Sequence, residues 1–281
     1  MKKSNITLIS YFGGTNYHLI PHFFDYYHGL GITDFYIIAA NEPPVLQQLE
    51  QLHRKPDIID TEEYTAQRKQ HYLNGRISQG KTNEWFLLTD MDEFCVFRQT
   101  LPETIRMLED GDYVAMCGYF IDRHAEGGVL LDLNDVSNLW SAFPYCSQIT
   151  KEVSFGNYRK MVLVKSGNLV GRGHHSLLDR KESAIHPGPV EVHHFKWDST
   201  VIPRLLKRCH TKMIVEERPH IAQESLNFLH MLTFNKNRIP LRLAHAMKNG
   251  GFYNGTLKPL AKPRLRFRIF AKIIRLMMHQ Q

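Results

Sequence analysis

Of the chain's 281 residues, the last 57 include no Asp or Glu: after Glu224 the acidic residues stop. Cysteine is scarce as well. The four that occur, Cys95, Cys117, Cys146 and Cys209, stand far apart and form no C-x-x-C pair. That excludes the usual structural zinc spacing and a disulfide framework, and it makes a reducing, cytoplasmic setting the default expectation. No apolar run is long enough to span a bilayer. The opening MKKSNITLIS has two lysines but no apolar stretch of signal-peptide length, so it reads as the start of a strand. Several motifs are missing too. There is no G-x-G-x-x-G after the first strand, no G-x-x-x-x-G-K-[ST], no G-x-S-x-G and no H-E-x-x-H. Dinucleotide dehydrogenases, P-loop ATPases, serine hydrolases of the elbow type and zincin proteases all lack their signatures.

What is present is a chain with 43% hydrophobic residues, enough for a real core, and a formal charge of +7 that is unevenly spread. Eleven of the 35 Lys and Arg residues follow Glu224, which leaves 24 against 28 acidic residues before it. A mildly acidic globule therefore carries a basic end, a pattern that points to an anionic partner for that end. Within it, Arg264–Met278 reads as a basic amphipathic helix, with Arg264, Arg268, Lys272 and Arg275 in one sector. Such a helix either lies in an anionic membrane interface or packs on the domain with its cations in water.

The first half alternates strands and helices. Ile6–Phe12, Asp34–Ala40, Asp57–Thr61 and Glu84–Phe94 read as strands; the segment from His18 to Gly29, Pro43–Lys55 and Glu62–Ser78 read as helices. This is the pattern of a parallel sheet with crossover helices. Leu101–Asp110 reads as a helix, Asp112–Asp122, Arg159–Lys165 and Val190–Trp197 as strands, and Gly127–Thr150 as loop. His186-Pro187-Gly188-Pro189 reads as a turn, and Thr200–Lys212 and Glu216–Phe234 as helices. Ligands of open α/β sheets bind beyond the carboxyl ends of the strands. Tyr11–Asn16, Asn41-Glu42, Asp60–Glu63 and Asp90–Glu93 stand at such ends. The fourth strand, apolar over Trp85–Leu88, runs into three carboxylates within four residues, Asp90, Asp92 and Glu93. Asp90 and Asp92 share a face if the chain is extended, and two hard oxygen ligands suit Mg²⁺ or Mn²⁺ held together with a substrate's phosphates. A histidine folding back from the pairs His174-His175 or His193-His194 would complete the protein ligands, and His194 is the candidate.

The order of these motifs resembles the bacterial glycosyltransferase 2-like group related to glycosyltransferase family 92, which has a GT-A fold. Trp85–Phe94, WFLLTDMDEF, resembles its Trp-x-x-x-x-Asp-x-Asp-Glu-Phe motif. Tyr27-His28-Gly29-Leu30-Gly31 resembles its helix ending, Gln67-Arg68-Lys69-Gln70 its Gln/Arg-bearing helix, and His194-Phe195-Lys196-Trp197-Asp198-Ser199 its late histidine motif. The similarity covers roughly residues 6–215. Two positions depart from it: Thr15-Asn16-Tyr17 lacks the family's acidic member, and Asp198 stands where Lys is usual.

The resemblance implies an α/β fold of GT-A type, a Rossmann-like mixed and mostly parallel sheet flanked by helices. Residues 1–215 would form the transferase domain and 216–281 a basic helical extension. It also implies a metal-dependent, inverting hexosyltransferase that uses a nucleotide-sugar donor and a glycan or glycolipid acceptor in surface polysaccharide synthesis, at the inner face of the membrane. Asp90, Asp92 and His194 would hold Mn²⁺ or Mg²⁺, with Asp92 catalytic in offsetting the leaving diphosphate's charge. Glu93 would orient these groups. Tyr11, Asn16, Asn41, Gln67, Arg68 and Asp90 would line the donor. A base for the acceptor hydroxyl is sought among Asp122, Glu152, Asp179, Glu182 and Glu191, and Glu191, beside the late histidine motif, is the choice. A different class of protein, one that binds nucleic acid or transfers nucleotides with the acidic pair and the basic tail, is the alternative. No nucleic-acid-binding motif supports it, so no nucleic acid is expected as a partner.

Overall fold

Leu8 and Phe12 of the first strand face one apolar cluster while Ile9 and Tyr11 face another, as the two-residue period of a strand dictates when both faces of a sheet are covered. The same division recurs in the fourth strand, where Trp85 and Leu87 face one side and Phe86 and Leu88 the other. The computed structural model describes residues 6–154, 158–178, 180–211, 219–240 and 245–246. Its first half is the expected alternation: β1 (Ile6–Phe12), α1 (Ile20–Gly29), β2 (Asp34–Ala40), α2 (Pro43–Gln51), β3 (Ile58–Asp60), α3 (Ala66–Ser78) and β4 (Trp85–Leu88). These four strands pair in parallel in the order β3-β2-β1-β4.

Beyond β4 the sheet becomes mixed. The later elements are β5 (Glu93–Val96), α4 (Leu101–Asp110), β6 (Ala115–His124), α5 (Leu139–Ala142), β7 (Tyr145–Ser147), α6 (Ile149–Ser154), β8 (Arg159–Lys165), β9 (Ile185–His194), α7 (Val201–His210), α8 (Pro219–Phe234) and β10 (His245–Ala246). Antiparallel β8 joins β4 to β6. β9 runs parallel to β6, and β5 pairs antiparallel with β9. β5 thus leaves the line of β4, and the sheet curls back on itself at the acidic turn. The whole is a mixed α/β sheet flanked by helices, of Rossmann-like architecture.

Several boundaries differ from the sequence reading, most of them for a local reason. The second helix stops at Gln51 because His53 adopts a left-handed backbone (φ 53°) and Arg54 closes the end by donating to Leu49 O. The third starts at Ala66, where Thr65 accepts from the Arg68 N–H at 3.1 Å. The strand expected over Glu84–Phe94 divides into β4 and β5 at the carboxylates. The Pro-Gly-Pro turn expected at 186–189 lies inside β9, where the pairing with β6 shifts register between Met116 and Gly118, an irregularity that accommodates residues without a donor. The stretch 127–150, expected as loop, contains α5, β7 and the start of α6.

α7 and α8 pack against each other over a third cluster of Ile149, Trp197, Val201, Leu205, Phe228, Met231 and Leu232. Among the described residues, no helix is long and apolar enough to cross a membrane. The basic helix expected over Arg264–Met278 lies outside the described residues.

Candidate active site at the acidic turn

The turn that carries the carboxylates is stapled from below. The Thr89 hydroxyl donates to Glu93 O at 2.8 Å, and the Glu93 N–H donates to Asp90 O at 3.0 Å. From α1, the buried Tyr27 hydroxyl donates to Glu93 O at 2.9 Å and accepts from the Cys95 N–H at 3.0 Å. On the far side the Phe195 N–H donates to Asp92 O at 2.9 Å, which ties the turn to the end of β9. Backbone groups that no ladder satisfies are satisfied here one by one, as a buried turn requires.

Two of the three carboxylates are neutralised from within the protein. Lys69 of α3 pairs with Asp90, and Lys160 of β8 lies 2.9 Å from Asp90 and 3.0 Å from Glu93. Both lysines are buried, at 3% and 4% exposure. Burial pushes the Asp90 carboxyl upward, but Lys160 and Lys69 outweigh it and hold the group well below the usual carboxylate range. For Glu93, burial and the Asp90 charge push up, while Lys160 and His174 pull it below its ordinary value. His174 is buried 3.8 Å from Glu93, and neither ring nitrogen has a hydrogen-bond partner among the described residues. Burial first, then the charges of Lys160 and Lys69, lower it to about 3, so it is neutral.

Asp92 stands apart from that quartet. Its Oδ2 accepts from Asn16 Nδ2 at 3.1 Å and lies 3.3 Å from His194 Nε2. The register explains the meeting: Glu93 of β5 is opposite His194 of β9, and His194 is beside Asp122 of β6. Burial raises the Asp92 carboxyl and the His194 charge and hydrogen bond lower it, with the net effect downward. Asn16 is itself held by the end of the late motif: Thr200 lies 3.4 Å from Asn16 Oδ1 and donates to Asp198 Oδ1 at 2.5 Å. Asp198 is buried and 3.5 Å from Arg204.

Asp92, Glu93 and His194 offer ligand atoms within 4.8 Å of one another, as do Asp90, Glu93 and His174. The two groups differ in charge. The second is already balanced by two buried lysines. The first has a carboxylate and an imidazole nitrogen turned toward each other, a mixed O/N donor set that suits Mn²⁺ and leaves room for Mg²⁺ through oxygen.

The other expected residues fall into two places. Tyr11 and Arg68 converge on Asp60 at the end of β3: the Tyr11 hydroxyl donates to Asp60 Oδ2 at 3.1 Å, and Arg68 Nε donates at 3.3 Å. Arg68 also donates to Glu62 at 2.8 Å and to the Tyr72 hydroxyl at 3.0 Å. Asn41 is exposed and donates its N–H to Asp60 O at 2.8 Å, and Gln67 is exposed at the start of α3. Glu191 is not brought to the acidic turn. It lies on the face of β9 opposite His194, with its Oε2 3.1 Å from His193 Nε2. Of the other base candidates, Glu182 is exposed and pairs with Arg159, Asp122 is fully buried, and Asp179 and the Glu152 side chain lie outside what is described.

Lys69, Lys160 and His174 complete the constellation and were not expected at it, although Lys69 stands within the Gln67–Gln70 stretch and His174 in the first histidine pair. Lys69 had a signal: it stands four and eight residues before Leu73 and Ile77, on the buried stripe of α3. A lysine on an apolar stripe needs a buried partner. Lys160 had none, because β8 is buried along nearly its whole length and has no polar phase for it to break.

No family model matches the chain. No curated protein matches it at a significant level. Among solved structures, mannose-6-phosphate isomerase from Helicobacter pylori aligns at 9% identity and a TM-score of 0.30, covering 45% of this chain and 58% of that one, less than two thirds of its length. A structure described as a glucose-1-phosphate thymidylyltransferase from Bacillus anthracis, in complex with a sucrose, aligns at 10% identity and a TM-score of 0.31, covering 80% and 83%. Both are named as enzymes of sugar-phosphate chemistry, and likenesses this distant carry no argument about what this chain does.

Proposed function

We propose that the chain is a metal-dependent glycosyltransferase that moves a sugar from a nucleotide-sugar donor to a hydroxyl of a glycan or glycolipid. The observation that carries this reading is the convergence of Asp92 Oδ2 and His194 Nε2, 3.3 Å apart, where the sheet curls at the end of β4. Asp92 and His194 are the residues that would hold Mn²⁺ or Mg²⁺, and the ion when bound would offset charge on the leaving diphosphate. Asn16 fixes the Asp92 carboxylate through its amide N–H. Asp90, between Lys69 and Lys160, has its charge already matched and serves to fix the turn and to face the donor. Tyr11, Asp60 and Arg68 form a polar floor beyond β1 and β3 that fits the nucleoside end. In the transfer the acceptor hydroxyl oxygen bonds to the sugar's anomeric carbon and its proton passes to solvent, while the anomeric carbon–oxygen bond to phosphate breaks and nucleoside diphosphate leaves with the electron pair. Glu191 is not the base in this reading, since it faces away from Asp92.

A second reading, nucleotidyl transfer, draws on Lys69 and Lys160, whose charges border a partly exposed Asp90 and suit a sugar phosphate. The products separate the two. Incubated with a panel of nucleotide sugars and Mn²⁺, a glycosyltransferase releases nucleoside diphosphate, whereas incubation with a nucleoside triphosphate and a sugar phosphate releases pyrophosphate only from a nucleotidyltransferase. Asp92→Asn is expected to reduce diphosphate release by about 100-fold or more. Full release from a folded Asp92→Asn protein refutes the site.

A further inference from the structure

The His194 imidazole is gripped from three sides. Its ring stacks on Phe120 with centroids 4.8 Å apart and 20° between planes. Nε2 faces Asp92 at 3.3 Å. Nδ1 is buried, has no hydrogen-bond partner among the described residues, and lies 3.8 Å from Asp122 Oδ1. Asp122 is its register neighbour across the β6–β9 pair and is 0% exposed. The carboxylate cannot turn. The Thr150 N–H donates to Oδ2 at 2.7 Å, and the Thr150 hydroxyl and Trp197 Nε1 donate to Oδ1 at 2.6 and 3.1 Å. Lys196, 3.9 Å away, donates to the Thr150 hydroxyl at 2.7 Å and so continues the chain of donors.

We infer that Asp122 is a positioning residue for the candidate metal ligand His194: its fixed carboxylate, facing Nδ1, holds the ring with Nε2 turned toward Asp92, where the ion would sit. The inference rests on the metal reading of Asp92 and His194. Outer carboxylates of this kind orient a ligating imidazole and raise its basicity, and their loss costs about 10- to 100-fold in metal affinity. Asp122 also caps the first turn of α6 through the Thr150 N–H. A role confined to that cap would alter stability and leave metal affinity where it was.

The test is calorimetric titration of the intact protein with MnCl₂ and, separately, MgCl₂. Asp122→Asn keeps the size of the side chain and removes its charge. It is expected to weaken Mn²⁺ binding about 10- to 100-fold and Mg²⁺ binding less, because Mg²⁺ relies on oxygen ligands, so the preference between the ions narrows. Thr150→Val retains the carboxylate and loses only the hydroxyl that holds Oδ1. It is expected to weaken Mn²⁺ about threefold or more, and it carries the test if Asp122→Asn does not fold. Mn²⁺ affinity within about twofold of wild type in folded Asp122→Asn, or in Thr150→Val where that variant carries the test, overturns the inference and leaves the metal site standing. A wild-type protein that binds no Mn²⁺ overturns both.

Discussion

Lys160→Met keeps the length of a side chain whose stem is buried in β8 and removes the ammonium that lies 2.9 Å from Asp90 and 3.0 Å from Glu93. Asp90 retains Lys69, but Glu93, 2% exposed, is left without a cation, keeping only the Asp90 N–H 3.1 Å from its Oε2 and His174, which is neutral. Removing one partner of a buried ion pair strands the other charge, at a cost of about 3–5 kcal/mol. For a chain of this size that is a fall of roughly 6–20 °C in melting temperature. The deficit depends on pH. In the native protein Glu93 is held below its ordinary value, so its contribution is present above the unfolded pKa of about 4.3 and is lost as pH falls through the lower folded value. In the variant, burial and Asp90 act without Lys160, and the Glu93 pKa rises above the unfolded value. A carboxyl raised in this way costs stability as pH climbs past its unfolded value. The difference between the two proteins is therefore largest near pH 8 and shrinks toward pH 5. Urea unfolding in EDTA at both pH values, with matched slopes, measures it. A loss below about 1 kcal/mol at pH 8, or one that grows on acidification, would falsify the account of the quartet.

Adding Glu93→Gln to Lys160→Met removes the stranded charge, and the double variant is expected to be more stable at pH 8 than Lys160→Met alone, by about 1–3 kcal/mol in urea unfolding. Gly128→Ala sets a Cβ 2.1 Å from Ile239 O at a backbone φ of +66°, so a loss above about 2 kcal/mol is expected, read as a lower urea midpoint. Thr100→Ala breaks the capping box with Glu103 at the start of α4 and is expected to cost about 1 kcal/mol in the same assay, with no change in Mn²⁺ affinity.

The parallel half of the sheet was legible because each of its elements carries its own period and its own stop. Pro43 starts α2, the apolar run of β1 ends at Gly13-Gly14, and those of β2 and β4 end in polar residues; the start of α3 is the exception, capped by Thr65 three residues past the expected Glu62. The antiparallel half was less legible. β8 matches the expected Arg159–Lys165, but β6 begins three residues after the expected Asp112, and β9 begins five residues before the expected Val190 and passes through a Pro-Gly-Pro segment whose local preference is a turn. Tertiary pairing with β5 and β6 overrides that preference. In the site, Asp92 and His194 are marked by motif, but their meeting is set by β5 leaving β4 for β9, and no local pattern encodes that. Glu191 illustrates the same limit: it is near His194 in sequence, but an odd offset along the strand sets it on the opposite face.

Three carboxylates within four residues repel one another, and the way this chain pays for them decides which can act. Fixed cations from α3 and β8 are spent on Asp90 and Glu93, both of them buried lysines that no mobile side chain could replace. Drawing Asp90 onto a divalent ion would bring two positive charges beside two more in a site that excludes water, where such repulsion is weakly screened. Among the described residues Asp92 forms no ion pair with a lysine, and the charges of Arg204 and Lys196 reach it only from farther off. Its partners are a neutral amide and an imidazole, the one side chain there that can lose its proton and still bind. The net negative charge of the turn is therefore concentrated at Asp92, next to a nitrogen ligand. A dication would be drawn to that point, and the lysines would be left to hold the turn beneath it.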